Sequence, residues 1–234
     1  MREATHNTRH LVLSPPPGLH LRPGLGQHLV FRTVVEGLEV TRSYTPVPSL
    51  IKQEVEDEGC LQFLIKIYPN GLMTPSLGRL TVGDSVSVSN HTGSFRAAQV
   101  PVTPDSRLLL LAAGTGLTPI LGLLAYLQTR PSRPVVQLVT FDRREEDIIW
   151  RAEVDQFQAE NAGWLRVRRV LSEAGPGWTG QTGRVRPDLL GGERGQGGAV
   201  WAAVCGPPGF NRETVRIVRD HLSFIEEEIH VFEG

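Results

Sequence analysis

Residues 108–128 read LLLLAAGTGLTPILGLLAYLQ, and the change of pattern inside this stretch sets the fold class. Leu108 to Ala113 is an unbroken apolar run, without the polar alternation of a strand that faces water. Gly114 and Gly116 interrupt it, and from Pro119 to Gln128 apolar residues recur at i, i+3 and i+4, the spacing of a helix face. A wholly apolar strand, a glycine turn and a helix make the first unit of a parallel sheet covered on both faces. The unit repeats downstream. VVQLVTF (135–141), WLRVRRVL (164–171) and GAVWAAVCG (198–206) are strand candidates, while DIIWRAEVDQFQAE (147–160) and NRETVRIVRDHL (211–222) are helical by spacing. Residues 108–234 are therefore expected to form a doubly wound α/β domain with its ligand at the strand C-termini. GGERGQGG (191–198) reads as a flexible loop.

Upstream the pattern differs. RHLVL (9–13), QHLVFRTV (27–34), LEVTRSY (38–44), LQFLIKIY (61–68) and DSVSVS (84–89) are short runs separated by SPPPG, RPGLG, PNG and VGD turns. Strands at this spacing predict an antiparallel barrel or sandwich over residues 1–99. Residues 100–107, with two prolines and little to bury, are the expected linker.

Composition narrows the function. The chain has 234 residues, 40% hydrophobic and 21% charged, with a formal net charge of −1. It lacks the basic excess that phosphate contacts usually demand, which argues against a nucleic-acid binder. No run approaches the roughly 18 apolar residues of a membrane span, and the residues after Met1 have no apolar core of a secretory signal. Cys60 and Cys205 are too few and too far apart for a disulfide framework, which favours a reducing compartment and a cytosolic setting. The seven histidines show no metal-ligand spacing, so no metal is expected.

Three turns have the chemistry to hold phosphates. AAGTGLTP, from Ala112, ends in Thr118 and Pro119, read as helix N-cap and first helical residue. Its glycines would let the backbone approach a phosphate at the helix N-terminus. A plain tight turn would use the same residues, and Pro119 stands where a dinucleotide fingerprint has its third glycine. CGPPGF, from Cys205, repeats that logic before a helix opening near Asn211, although Cys205 also fits a small buried hydrophobe. GLMTPSLGRL, from Gly71, offers Thr74 and Pro75 as a further cap pair; its short helix would serve equally as a plug for the barrel end. The polar residues of VTRSYTPVPS (40–49) are distinctive, because Arg42, Tyr44 and Thr45 cluster at a strand end.

Taken in order, these pieces resemble the NADH-cytochrome b5 reductase family of the ferredoxin-reductase-like flavoproteins, over about Thr5 to Phe232. The family's RxYT motif is similar to Arg42, Tyr44 and Thr45; its G-x-M-[ST] turn to Gly71, Met73 and Thr74; its GTGxTP turn to Gly114–Pro119; its CGPP turn to Cys205–Pro208. The stretch IKIYPNGLMTPSLGRLTVGDSVSVS looks closer to the branch that fuses a cytochrome b5 domain to its reductase, or to the reductase-like proteins.

The resemblance implies an FAD-bound oxidoreductase that accepts hydride from NADH, with NADPH also possible, and releases single electrons to cytochrome b5 or a similar haem acceptor. A monomer is expected. Arg42 would pair with the FAD pyrophosphate, Tyr44 would lie against the flavin and Thr45 would sit near N5, with Pro46 and Val47 beside them. A pyrophosphate next to a flat, electron-poor ring calls for a cationic fork, an aromatic surface and a small hydroxyl. Gly71, Leu72, Met73 and Thr74 would add backbone N–H groups. Gly114, Thr115, Gly116, Thr118 and Pro119 would line the nucleotide's path, and Cys205, Gly206 and Pro207 would stand at the nicotinamide, with Phe232 near the C-terminus completing the cofactor residues. Thr45 and Cys205 are the residues assigned to hydride transfer. Ser172 stands where the NADH-specific enzyme has an aspartate, which implies relaxed nucleotide selectivity, with Glu173 as the opposing group. Leu72 replaces a family lysine that helps hold the nucleotide. The family begins with a strand ahead of Thr5, so the first barrel strand is expected to be missing. Two alternatives remain: the reductase component of an oxygenase, and a flavin-poor reductase-like protein that acts as an interaction module.

Overall fold

A computed structural model describes residues 1–50, 59–190 and 198–232. All but the last residue of the expected 191–198 loop lies outside them.

The N-terminal half contains β1 (Arg2–Thr5), β2 (Thr8–Leu13), β3 (His28–Val35), β4 (Leu38–Tyr44), β5 (Leu61–Lys66) and β6 (Ser87–Thr92). They form two three-stranded antiparallel sheets, ordered β1-β2-β5 and β4-β3-β6. The backbone N–H of Val47 donates to the Gln62 carbonyl at 2.8 Å and bridges the sheets where the chain leaves β4. Alternation along β3 sends Leu29 and Phe31 inward, where Phe31 meets the rings of Tyr44 at 4.8 Å and Phe63 at 5.0 Å. Met73 and Leu77, at the start and end of α1 (Thr74–Leu77), are buried in this same core, so α1 plugs the barrel.

Two expectations are corrected here. The strand thought to be missing is present in short form as β1, paired with β2 through Arg2–His10 and Glu3–Arg9. The strand expected from Asp84 starts instead at Ser87, because the Asp84 carboxylate accepts from the Thr81 N–H at 2.7 Å and Thr81 hydroxyl at 3.0 Å and holds that stretch in a turn.

The C-terminal half runs β7 (Arg107–Ala113), α2 (Leu117–Gln128), β8 (Val135–Asp142), α3 (Arg151–Glu160), β9 (Leu165–Leu171), β10 (Gln181–Thr182), α4 (Pro187–Leu190), β11 (Val200–Cys205), α5 (Pro208–Leu222) and β12 (Ile229–Val231). The six strands are parallel in the order β10-β9-β8-β7-β11-β12. The four leucines that open β7 divide between the faces: Leu108 and Leu110 pack with α2, Leu109 and Leu111 with α5. A strand buried on both sides has no place for a polar residue, which is why this run is unbroken.

α3 begins at Arg151 rather than Asp147, because Trp150 takes a left-handed conformation (φ 48°) after a separate turn over Glu145–Asp147. α5 begins at Pro208, three residues before the expected Asn211. No helix of the described residues is long and apolar enough to cross a membrane.

Among the described residues, contacts on two sides join the halves, beside the apolar core that Val47, Leu50 and Leu64 share with α2. Phe95, just after β6, packs on Phe232 at 4.9 Å and His230 at 4.6 Å. On the other side, Asp147 accepts from Asn7 Nδ2 at 2.8 Å and Lys66 Nζ at 3.2 Å.

Candidate active site

The sheet order places β7 and β11 side by side although most of the domain's sequence lies between them, so their C-terminal turns converge. Gly116 sits against the end of β11 so closely that a Cβ would lie 2.1 Å from the Cys205 carbonyl oxygen. Only glycine permits that approach. Gly114 adopts φ +53° with open space around it, so its requirement is conformational rather than steric. Gly206 is equally confined, its missing Cβ falling 2.9 Å from that of Ala113 and 2.6 Å from the Phe210 ring.

The helix caps differ from expectation. Gly116, not Thr118, caps α2, and the buried Thr118 hydroxyl turns back to donate to the Thr115 carbonyl at 3.0 Å. Pro119 falls within the first turn, where a missing N–H costs nothing. Pro207 caps α5, and Pro208 is its first residue. Thr74 is likewise no cap. Met73 holds that position, while the Thr74 hydroxyl accepts from the Tyr68 N–H at 2.9 Å and donates to the Tyr68 carbonyl at 3.2 Å. Gly71 makes room for this knot, since a Cβ there would meet Thr74 Oγ1 at 2.8 Å.

Thr45, Pro46 and Val47, which follow β4, share a cavity of about 350 Å³ with Leu25, Pro119 and Tyr126. The seam between the halves therefore brings the end of the Arg42–Tyr44–Thr45 strand to the Gly114–Pro119 turn. Arg42 is exposed on β4; its Nη1 donates to the Thr41 carbonyl at 2.7 Å, and among the described residues no carboxylate pairs with it. Tyr44 is half-buried against Phe31, and burial pushes its phenol up to about 12, so it stays neutral at physiological pH. Burial also pushes the Cys205 thiol up to about 12. Leu72 is exposed beside Met73. Phe232 is a packing residue whose N–H bonds the Val204 carbonyl at 2.9 Å.

Ser172 is exposed just beyond β9, and its N–H donates to the Asp142 carbonyl at 3.0 Å. Glu173 does not extend alone into solvent. Its carboxylate accepts from Arg143 Nε at 2.7 Å and Arg144 Nε at 3.2 Å, and these bonds, Arg143 first, hold its acid below the usual carboxylate range.

Sequence reasoning missed several groups. Tyr68, exposed just past β5, was signalled only by an aromatic following the apolar run. The Asp142–Asp147 pair beside Lys66 and Arg169 left no signal at all. Burial and then the neighbouring Asp147 push Asp142 up to about 7. Burial also acts upward on Asp147, but the Asn7 hydrogen bond and Lys66 outweigh it and keep that acid below the usual range.

The residues present suit FAD in one respect: an exposed guanidinium, with no carboxylate partner among the described residues, on the strand that also carries a half-buried phenol.

Comparison with known proteins agrees. Residues 1–97 match the oxidoreductase FAD-binding domain and residues 110–216 the oxidoreductase NAD-binding domain. Cytochrome b5 reductase 4 of Homo sapiens is 38% identical over 98% of this chain, which spans 45% of that relative's length. NADH-cytochrome b5 reductase 1 of Dictyostelium discoideum is 32% identical, with 97% of this chain and 77% of that protein covered. The solved CS-b5R domains of human Ncb5or, in an NAD+ form, superpose with a TM-score of 0.89 at 38% identity, covering 99% of this chain and 66% of that one. The cytochrome b5 reductase domain of Ulva prolifera nitrate reductase, 21% identical with a TM-score of 0.81 over 98% of this chain and 93% of that one, shares the fold.

Proposed function

The chain belongs to the cytochrome b5 reductase family, and from that premise we propose that it is an FAD-dependent oxidoreductase drawing on NADH or NADPH and delivering single electrons to a haem acceptor such as cytochrome b5. Residues 1–99 would hold the flavin and residues 108–234 the nucleotide, joined by 100–107, in a monomer of a reducing, cytosolic compartment. FAD, when bound, supplies the conversion of a two-electron donor into one-electron steps. Hydride transfer needs no general acid or base, only close approach in a site that excludes water.

Each residue then has a physical task. Arg42 offers a guanidinium fork to the pyrophosphate, and Leu72, Met73 and Thr74 offer backbone N–H groups to it from the turn that the Gly71 N–H closes on the Tyr68 carbonyl at 2.8 Å. Tyr44 presents a neutral aromatic face and Thr45 a hydroxyl at the seam. Gly114, Thr115 and Gly116 admit the nucleotide at the end of β7, with Thr118 and Pro119 fixing the turn. Cys205, Gly206 and Pro207, at the end of the neighbouring β11, would face the nicotinamide, where an un-ionised thiol keeps the surroundings apolar. The observation that carries this reading is the cavity shared by Thr45 and Pro119, which joins the flavin-side strand end to the nucleotide-side turn.

The test is NADH-dependent reduction of cytochrome b5 by the FAD-loaded protein. Turnover that disappears when FAD is stripped and returns when it is restored is expected. Absence of turnover with cytochrome b5 and with small one-electron acceptors would contradict the reading.

A further inference from the structure

Past their last paired residues, β8 and β9 continue side by side: Ser172 N–H reaches the Asp142 carbonyl at 3.0 Å, and Glu173 N–H the Arg143 carbonyl at 2.8 Å. This fixes three side chains at one point on the C-terminal edge of the sheet. Arg143 Nε bonds one Glu173 oxygen at 2.7 Å, and Arg144 Nε the other at 3.2 Å. Both guanidinium groups are otherwise open to solvent, at 63% and 53% side-chain exposure. Arg144 has one further, looser partner, Glu146 at 3.7 Å.

We propose that Arg143 and Arg144 form a binding site for the 2′-phosphate of NADPH, with Glu173 as the internal carboxylate that occupies it while the phosphate is absent. The inference rests on the proposed function and assigns its nucleotide class. A dinucleotide whose nicotinamide lies at the Gly114 turn must run along the strand ends. Toward β11 and β12 the way is closed, because Phe232 continues β12 and is buried against Phe95 and His230. Toward β8 and β9 the edge is open, and two strand spacings, about 10 Å, separate the β7 turn from this clasp.

The chemistry of the clasp sets the preference. A lone acid at this position would accept the ribose 2′-hydroxyl and repel a 2′-phosphate. Here both oxygens of Glu173 are already taken, so the acid is spent on the arginines, and the fork geometry that holds a carboxylate also holds a phosphate. Ser172, uncharged and exposed next to it, adds no repulsion. Glu173 thus weakens phosphate binding by competition without abolishing it.

The test compares binding of adenosine 2′,5′-bisphosphate with that of AMP, which differs only in lacking the 2′-phosphate, by calorimetry at low salt on the FAD-loaded protein. The wild type is expected to bind the bisphosphate about tenfold more tightly. Arg143→Ala/Arg144→Ala should bring the two ligands to parity by weakening only the bisphosphate. Glu173→Gln should tighten the bisphosphate severalfold and raise the ratio of kcat/KM for NADPH to that for NADH by a similar factor. Parity in both the wild type and Glu173→Gln overturns the proposal, as does a bisphosphate preference that survives loss of both arginines. A bisphosphate preference in a protein whose flavin is bleached by neither nucleotide would support this site and count against the proposed function instead, so the two failures are separable.

Discussion

The turn after β7 and the turn before α1 both carry a glycine, a threonine and a proline, yet they are built on opposite terms. Gly114–Pro119 is locked into the fold: Gly116 touches the Cys205 carbonyl, and Thr118 and Pro119 are buried. Around Gly71–Thr74 the fold uses Met73 in the core and the Thr74 hydroxyl against Tyr68, but Leu72 and, on β4, Arg42 are left exposed, and Arg42 has no carboxylate partner among the described residues. A glycine motif in the α/β half is therefore demanded by packing whether or not a nucleotide binds. Residues of the barrel half that the fold leaves unused point more directly to a ligand.

This contrast breaks first at Gly116. Gly116→Ala forces a Cβ into the backbone of β11 and is expected to destabilise the protein by on the order of 3–5 kcal/mol in urea unfolding. Gly114→Ala, strained only by its positive φ, should cost about 1–2 kcal/mol. Equal effects would mean that the two turns are not sterically interlocked.

Arg42→Ala is the counterpart in the barrel half. FAD affinity should fall by about 2–3 kcal/mol, while the flavin-free protein keeps its stability within roughly 0.5 kcal/mol. A large loss of stability would show Arg42 to be structural.

The buried acid pair sharpens the comparison through pH. The folded state raises Asp142 from an unfolded value of about 3.9 to about 7, so its favourable contribution is complete below pH 4 and is lost as pH rises to 7. Asp142→Asn, permanently neutral, should therefore be more stable than wild type by an amount that grows across that window to about 1–3 kcal/mol. A constant difference from pH 4 to 8 would place the cause elsewhere.

The smallest effect is expected at Cys205. With its thiol near 12, it should resist iodoacetamide at pH 8, whereas the less buried Cys60 reacts. Cys205→Ala should slow flavin reduction about two- to fivefold, through looser packing at the wall of the site, with both ligands still bound. Unaltered reduction in stopped flow would make Cys205 a core residue only.

What could be read from the sequence followed from periodicity. LLLL at 108–111 could be assigned to a strand buried on both faces because each face needs its own apolar residues. Thr118 and Thr74 were misread as caps because threonine before proline signals a helix start, whereas both hydroxyls turn back to the peptide units of Thr115 and Tyr68. β1, β10 and β12 are too short to show a period. The Glu173 clasp joins residues about thirty positions apart and leaves no local pattern, and Asp142 looked like an ordinary turn acid until burial beside Asp147 changed its chemistry.

In the proposed function the strand end at Thr45 and the turns at Gly114 and Cys205 meet to pass hydride between nicotinamide and flavin. Anaerobic addition of NADH to the purified protein, followed by its visible spectrum, tests this most directly. A yellow protein with about one FAD per chain, bleached by stoichiometric NADH, is predicted. A colourless protein that added FAD does not restore, or a yellow one that neither NADH nor NADPH bleaches, would contradict it.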